Sequence, residues 1–499
     1  MCGATQTSPL CGAIIHARHR RCIAPQKAET ARRVVFTQSI VAPVQIRATP
    51  ARQCYACPRC WHRKASRVGP KEILRSTRRL GMTTTEFIAH PSNTSRSETP
   101  FRGLAPFLRT SIAGTDLAPI GREMLKRAEV DADDANLWMN LSIVMLCLGQ
   151  RDLGLAIQNQ ALALARIYHI AASEQPAKLR LLMLMVPGDL AANMPLECLL
   201  EHSDIDLDFY YVSPDVPLAL PIPGHDALIV AIGEADENRD VLATLERALA
   251  AWPKPVINAP EHIPTTGRAV ASALLQNVAG LLIPPTLRAS RSDLQAIAAG
   301  AAGLSELFGG CDFPLILRPV GSHGGSDLDK IDDPEGIATY LSRVDKAEFY
   351  LSRFIDYRSK DGLFRKMRVA LIDGAAFACH MAVSSNWMIH YVNAGMYEEA
   401  QKRDEEASFM AHFDDFARRH GLALDAIFRR TKLDYLCIDC AETQDGRLLV
   451  FEIDHAMVVH AMDSEQKFPF KQLHMQKVKN AFRDFLLRLT AGRTLEIPT

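Results

Sequence analysis

Between residues 179 and 258, apolar runs of strand length alternate with amphipathic or polar stretches. Leu179–Val186, Asp206–Val212, Ala227–Ile232 and Pro255–Asn258 read as four strands. A short helix near Pro195–Leu200 follows the first strand, and an amphipathic helix over Asn238–Ala251 precedes the fourth. Strands alternating with helices predict a parallel, doubly wound sheet, class α/β. In such sheets ligands gather beyond the carboxyl ends of the strands. Pro187-Gly188-Asp189, Gly233-Glu234 and Asn258-Ala-Pro260 fall there, and each equally fits ordinary turn chemistry.

Upstream the period changes from two to 3.6. Ile120, Met124, Leu125 and Ala128 recur at helical spacing, as do Leu137, Leu141, Val144 and Leu148 after an acidic break at Asp131. Gly149-Gln-Arg-Asp turns into a further helix carrying Leu155, Ala156, Ala161, Ala163 and Leu164. The pattern resembles one and a half tetratricopeptide repeats, with Trp138, Leu141 and Ser142 at first-helix positions. So few repeats make no long groove, since such arrays usually need about three. The segment therefore reads as a small all-α lid or dimerisation piece on the next domain, with a protein-binding surface as the second reading.

Charge and cysteine set the first 81 residues apart. They hold 16 Lys and Arg against Glu29 and Glu72, a net charge of +14, and the remainder carries −14. An acidic body argues against nucleic acid as the main partner. Six of the 12 cysteines lie in this leader, and the others are scattered, as reduced thiols of a cytoplasmic protein are. The leader reads as a transit peptide, as a metal site on Cys54, Cys57 and Cys60, or as upstream sequence ahead of a true start at Met82. The last is favoured, because three cysteines supply three ligands and a structural zinc site takes four. Residues 82–112, rich in Ser, Thr and Pro, read as a disordered linker. No apolar run approaches the ~18 residues that cross a membrane.

The chemistry concentrates in the C-terminal half. Phe313–Arg318 is a strand bearing one cation, followed by Pro319-Val-Gly-Ser322-His323-Gly324-Gly325, a Gly-rich loop whose backbone N–H groups suit phosphate oxygens. Glu348–Asp356 is a strand leading to Arg365-Lys-Met-Arg368. Leu433–Asp439 is a buried strand ending in a carboxylate, and Leu448–Asp454 places Glu452 and Asp454 on one face. A hairpin would bring Asp439 alongside them. Three carboxylates under an apolar sheet call for a cation, and oxygen-only ligands favour Mg²⁺ beside nucleotide phosphates. Neither a Rossmann fingerprint nor a P-loop motif occurs.

From about residue 179 to 490 the chain resembles the ATP-grasp superfamily, which includes D-alanine–D-alanine ligase and glutathione synthetase. The resemblance implies a parallel-sheet pre-ATP-grasp domain over 178–264 and an α+β ATP-grasp domain over 265–497, preceded by the helices of 113–177. It implies ATP and Mg²⁺ as cofactors. Arg268 and Arg318 stand where lysines contact the nucleotide, and Ser322, His323, Gly324 and Gly325 match the flexible phosphate loop. Ser352, Arg353 and Phe354 match the hinge that carries the adenine, and Arg368 matches the arginine on the transferred phosphate. Asp439 and Glu452 match the Mg²⁺ ligands. Asp454 departs from the usual Glu-x-Asn ending, and both lysine positions carry Arg, which keeps the charge and adds a fork. Trp387–Tyr391 and His455–His460 lie nearby, as substrate contacts or as structural histidines.

The reaction implied is transfer of the γ-phosphate of ATP to a small-molecule carboxylate, then attack by an amine or thiol. Catalytic weight then falls on Arg368 and Arg318, since phosphoryl transfer needs positioning and charge neutralisation. A small-molecule kinase and a nucleotide-binding scaffold with little turnover stay open beside the ligase. A homodimer is the family's expectation, with no membrane or nucleic-acid partner.

Overall fold

The structure is a computed structural model that describes residues 99–213, 218, 221–309, 311–322 and 324–491. The leader over 1–81, the first part of the linker and His323 lie outside the described residues.

Four helices open the described chain: α1 (Ala105–Ile112), α2 (Ala118–Val130), α3 (Ala135–Cys147) and α4 (Arg151–Leu164). The helix α1 falls inside the stretch read as linker. The Ser/Thr/Pro content that suggested disorder stops short of Phe101, Leu104, Ala105 and Phe107, all of which are buried. Asp134 caps α3 by accepting the Leu137 N–H at 2.8 Å. Every residue of α3 except Asn136 is buried, because α1, α2 and α4 pack around it. Asn140, inside this helix, satisfies its amide by accepting from Arg102 N and donating to the Pro100 carbonyl, each at 2.9 Å.

The next unit is a five-stranded sheet in the order β1-β3-β2-β4-β5, from Ile167–Ile170, Leu179–Met185, Ile205–Tyr211, Ala227–Val230 and Val256–Ile257 in chain order. The pairs among β2 to β5 are parallel, and their near-continuous apolar runs are covered on both faces. The antiparallel edge strand β1 was not legible in the sequence; its Ile167-Tyr-His-Ile is too short to show a period. Helix α5 (Arg239–Leu249) buries Val241, Leu242, Leu245 and Leu249 along one stripe.

Two further sheets follow, a small antiparallel one and a larger one that is antiparallel except where Leu448 and Leu449 pair in parallel with Leu281 and Leu282. Helix α6 (Arg268–Leu274) and β6 (Leu281–Leu282) lead to β7 (Thr286–Ser290) and α7 (Arg291–Ala298). The small sheet is ordered β7-β10-β8-β9, with β8 at Leu315–Pro319, β9 at Asp329–Ile331 and β10 at Glu348–Arg353. Helices α7 and α8 (Pro334–Arg343) cover it and form a separate core around Leu294, Ile337, Phe349 and Leu351. The large sheet is ordered β12-β11-β13-β14-β6, with β11 at Phe364–Ile372, β12 at Ala375–Ser384, β13 at Tyr435–Glu442 and β14 at Leu448–Asp454. Helices α9 (Ala400–Ala411), α10 (Phe413–Arg419), α11 (Gly421–Thr431) and α12 (Lys471–Ala491) complete the chain.

One apolar core runs from the N-terminal helices through the β1–β5 sheet to the large sheet. Asn258, at φ +53°, pegs the two sheets together. Its Nδ2 donates to the Tyr435 carbonyl at 2.9 Å, and its Oδ1 accepts the Tyr435 N–H at 3.0 Å.

Candidate active site

The side chains that carry charge are placed by register. On the large sheet Arg368 pairs with His380 on one side and with Asp439 on the other, and Asp439 pairs with Glu452. Cross-strand partners share a face. His380, Arg368, Asp439 and Glu452 therefore form one row across four adjacent strands. At the strand spacing of about 4.8 Å the row extends roughly 14 Å. Bulges after Arg368 and after Asp439 kink the ladder at the two central members. Bulges of this kind re-aim side chains. Lys366, two residues before Arg368, joins the same face.

This face and the small sheet enclose a cavity of about 600 Å³. Its apolar side is lined by Ile283, Pro284, Ile316, Phe354 and Leu449, and Phe354 packs edge-on against Trp387 at 5.6 Å. Ser352, Arg353 and Phe354 all line it, at different depths. Ser352 lies in the ladder between β7 and β8, Arg353 is exposed, and the ladder to β7 ends at Ser352. On the β8 side the pairing runs on through Arg353, opposite Leu315, and the Phe354 N–H donates to the Pro314 carbonyl at 2.9 Å, so only the β7 side of the strand is released within the expected hinge.

Asp439 is held by two cations. Arg368 Nε and Nη2 donate to its carboxylate at 2.8 and 3.1 Å, and Lys366 Nζ lies 2.7 Å away. Burial pushes the Asp439 pKa up, but Arg368 and Lys366 outweigh burial and hold it well below the usual carboxylate range. Glu452 is ion-paired to Arg268. Burial raises its pKa too, and Arg268 with Arg318 bring it down to about 2. Asp454 accepts the Ala456 N–H at 2.8 Å.

The three carboxylates do not by themselves make the Mg²⁺ site expected on Asp439, Glu452 and Asp454, and one or two of them would hold the ion only together with nucleotide phosphates. The three do line one cavity on one sheet face. Among the described residues, however, no group of three or more His, Cys, Asp or Glu side chains could hold a metal ion. The sequence counted carboxylates without their counter-ions. Side-chain cations from α6 and β11 already neutralise Asp439 and Glu452.

Arg318 is the exception in this network. It is 7% exposed, and among the described residues no carboxylate lies within salt-bridge distance of it. Its Nε donates to Ser322 Oγ at 3.1 Å and its Nη2 donates to the Ser322 carbonyl. Burial, then the neighbouring Arg268, lowers its pKa to about 10. Ser322 thus orients Arg318 and fixes the start of the Gly-rich turn. Gly324 and Gly325 follow at φ +58° and +69°, and both line the cavity.

At the opposite end of the row the cavity is walled by residues that the motifs did not assign. Lys471 Nζ donates to Tyr391 Oη at 2.6 Å and to Asp463 Oδ2 at 2.8 Å, lies 3.2 Å from Glu406 Oε1, and sits 4.0 Å from the Tyr391 ring centroid. Burial, then Arg368 and Lys471, push His380 well below its usual pKa, so its imidazole is neutral there. Leu108 and Ile112 of α1 also line the cavity, which makes the helical segment part of its wall. The pair Lys366 and Arg368, two apart on a strand, was a legible signal. The place of His380 depends on register and was not legible.

His455 is structural, since its Nε2 lies 2.9 Å from the Ile232 carbonyl and ties β14 to β4. His460 Nδ1 accepts the Met462 N–H at 3.1 Å. None of the turns at 187–189, 233–234 and 258–260 is among the residues lining the cavity. Gly188 and Asp189 are instead tied to Gln158 and Arg151 of α4.

No protein-family model matches the chain. Among solved structures, it is similar to a D-alanine–D-alanine ligase from Bacillus anthracis complexed with ATP, at 15% identity and a TM-score of 0.40, over 64% of this chain and 100% of that one. It is similar to a RimK domain ATP-grasp protein from Sphaerobacter thermophilus at 16% identity and a TM-score of 0.36, over 62% and 99% of the chains. D-alanyl-alanine synthetase A from Vibrio cholerae matches at 11% identity and a TM-score of 0.40, over 63% and 99%. Likeness of that extent leaves function to the residues of the site.

Proposed function

We propose that the chain is an ATP-dependent ligase of the ATP-grasp type, joining a small-molecule carboxylate to an amine through an acyl phosphate and releasing ADP and phosphate. The observation that carries this reading is Arg318: a buried cation without a carboxylate partner among the described residues, between an apolar cleft and three further cations. Glu452 acts on Arg318 only beyond salt-bridge distance and is itself paired to Arg268, and a buried charge so incompletely compensated is destabilising unless a ligand answers it. An anion with an apolar group attached answers both halves of the cavity.

The residues divide the work. The cleft of Ile283, Ile316, Phe354 and Leu449 takes the base, and Arg318, Arg268 and the Gly324–Gly325 turn take the phosphates. Lys366 and Arg368 lie where charge develops as the terminal phosphoryl passes to a carboxylate oxygen, and fixed cations in a dry site stabilise it at little reorganisation. The amine nitrogen then attacks the acyl carbon, the C–N bond forms, and the C–O bond to phosphate breaks. The end walled by His380, Tyr391 and Leu108 is where the acid and amine would sit, shielded from water that would otherwise hydrolyse the acyl phosphate.

The test is to incubate the full chain and MgATP with a whole small-metabolite extract or with buffer alone, following products by phosphorus NMR. ADP and inorganic phosphate formed only with extract support the ligase. A new phosphoester signal would replace it with a kinase, and ATP binding without turnover with a scaffold. Lys366→Met should lower turnover sharply; full turnover in that variant would remove Lys366 from phosphoryl transfer.

A further inference from the structure

His390 lies on the segment after β12 and is the point where the Gly-rich turn meets the charged row. A Cβ built on Gly325 would stand 2.3 Å from His390 Nε2 and 3.2 Å from Cε1, so the imidazole edge rests directly on the backbone of the turn. The same ring feels Lys366 most strongly among charged groups, then Asp439, Arg368 and Glu452. It therefore bridges the small sheet's loop and the large sheet's charges. By contrast, Nε2 of His455 faces the Ile232 carbonyl at 2.9 Å and Nε2 of His420 faces Glu442 Oε1 at 2.8 Å. No side-chain hydrogen-bond partner for the His390 ring occurs among the described residues, and the ring lines the cavity. A neutral imidazole keeps one donor and one acceptor, and both are unspent here by other side chains.

The groups that share the cavity set what His390 meets. His390 lines the cavity together with Arg318, Arg268, Lys366 and Arg368, and Lys366 is the charged group that acts on it most strongly. In the nucleotide reading above, Lys366 and Arg368 meet the terminal phosphoryl, so His390 beside them meets the group that a diphosphate lacks.

We propose that His390 is a positioning residue that seats the Gly324–Gly325 turn over the terminal phosphate, so that the site distinguishes a nucleoside triphosphate from a diphosphate. This rests on the nucleotide reading above. Gly325 is required twice over, because its φ of +69° and the contact with His390 both exclude a side chain.

The experiment is calorimetric titration of the full chain with the magnesium complexes of ADP and of a non-hydrolysable ATP analogue carrying a β,γ-imido bridge. Wild type is expected to bind the analogue about tenfold tighter than ADP. His390→Ala should erase that preference and leave ADP affinity within about twofold. His390→Gln, which keeps a donor and an acceptor, should restore part of the preference. Gly325→Ala should erase it too, and the double variant His390→Ala/Gly325→Ala should be no worse than Gly325→Ala alone. Normal preference in a folded His390→Ala overturns the clamp and leaves the nucleotide reading standing, as does a wild type that binds both ligands equally. A wild type that binds neither overturns both. If His390→Ala does not fold, His390→Gln and Gly325→Ala decide the matter alone.

Discussion

Arg368 and Asp439 are register partners on β11 and β13, and the guanidinium grips the carboxylate through hydrogen bonds of 2.8 and 3.1 Å. The pair is the centre of the row from His380 to Glu452, and each member lies beside a β-bulge. A third donor from Arg368 reaches the Val458 carbonyl at 3.0 Å, which fixes the ring of chain after β14. The pair is therefore both an electrostatic and a structural feature.

Removing one partner should be severe. Asp439→Ala leaves Arg368 and Lys366 crowded without a counter-charge, and breaking a buried pair typically destabilises by about 3–5 kcal/mol. Urea denaturation of Asp439→Ala is expected to show a loss in that range. A loss below about 1 kcal/mol would mean that solvent or another group compensates Arg368.

Arg318 should behave in the opposite way. Its charge is buried and unpaired by carboxylates, so Arg318→Met removes an electrostatic penalty while keeping the apolar stem. Thermal unfolding should occur at an unchanged or higher temperature than in wild type. Nucleotide affinity should fall by at least tenfold. A variant that is less stable but binds nucleotide normally would reassign Arg318 to structure.

Glu197 carries a pH signature. It is 7% exposed; burial raises its pKa to about 7, against hydrogen bonds that lower it. Its Oε1 accepts the Leu104 N–H at 3.1 Å, pinning the start of α1, and its Oε2 has no partner among the described residues. Between the ordinary carboxylate range and about pH 7 the folded protein keeps a proton that the unfolded chain has released. Stability should therefore fall as pH rises through this window and level off above it. Glu197→Gln keeps the acceptor for Leu104 and should remove this part of the fall, seen as a higher melting temperature than wild type at pH 8 but not at pH 5.

Asn258 holds the parallel sheet to β13 through both edges of its amide. Asn258→Ala leaves the Tyr435 N–H and carbonyl buried without those partners, and an unsatisfied buried group costs about 1–3 kcal/mol. Asn is also among the residues that best tolerate φ +53°. A loss of about 2–4 kcal/mol is expected on chemical denaturation. Asn258→Asp should lose a similar amount, since it presents a second acceptor to the Tyr435 carbonyl.

The elements around the site were legible because their signals are local. Leu448–Asp454 is β14, an apolar run that ends with Glu452 and Asp454 either side of Ile453, and Gln444-Asp-Gly446 turns at φ +82° between β13 and β14. The apolar runs at Leu179 and Ala227 are buried strands of the parallel sheet. Helix α1 escaped notice because eight residues give scarcely two turns of periodicity, and its burial comes from α3 and the sheet, not from its own pattern.

What the sequence determined by itself was which residue types sit at which strand and turn positions: cations at 318, 366 and 368, carboxylates at 439, 452 and 454, glycines at 324 and 325. Only the tertiary structure decided who faces whom. Strand register sets Arg368 between His380 and Asp439, chain crossing brings Arg268 to Glu452, and the fold leaves Arg318 among cations and presses His390 on Gly325. The physical reason is that charge acts through space at a few ångströms. A carboxylate's role, as metal ligand or as counter-ion, follows from neighbours that are dozens to hundreds of residues away along the chain.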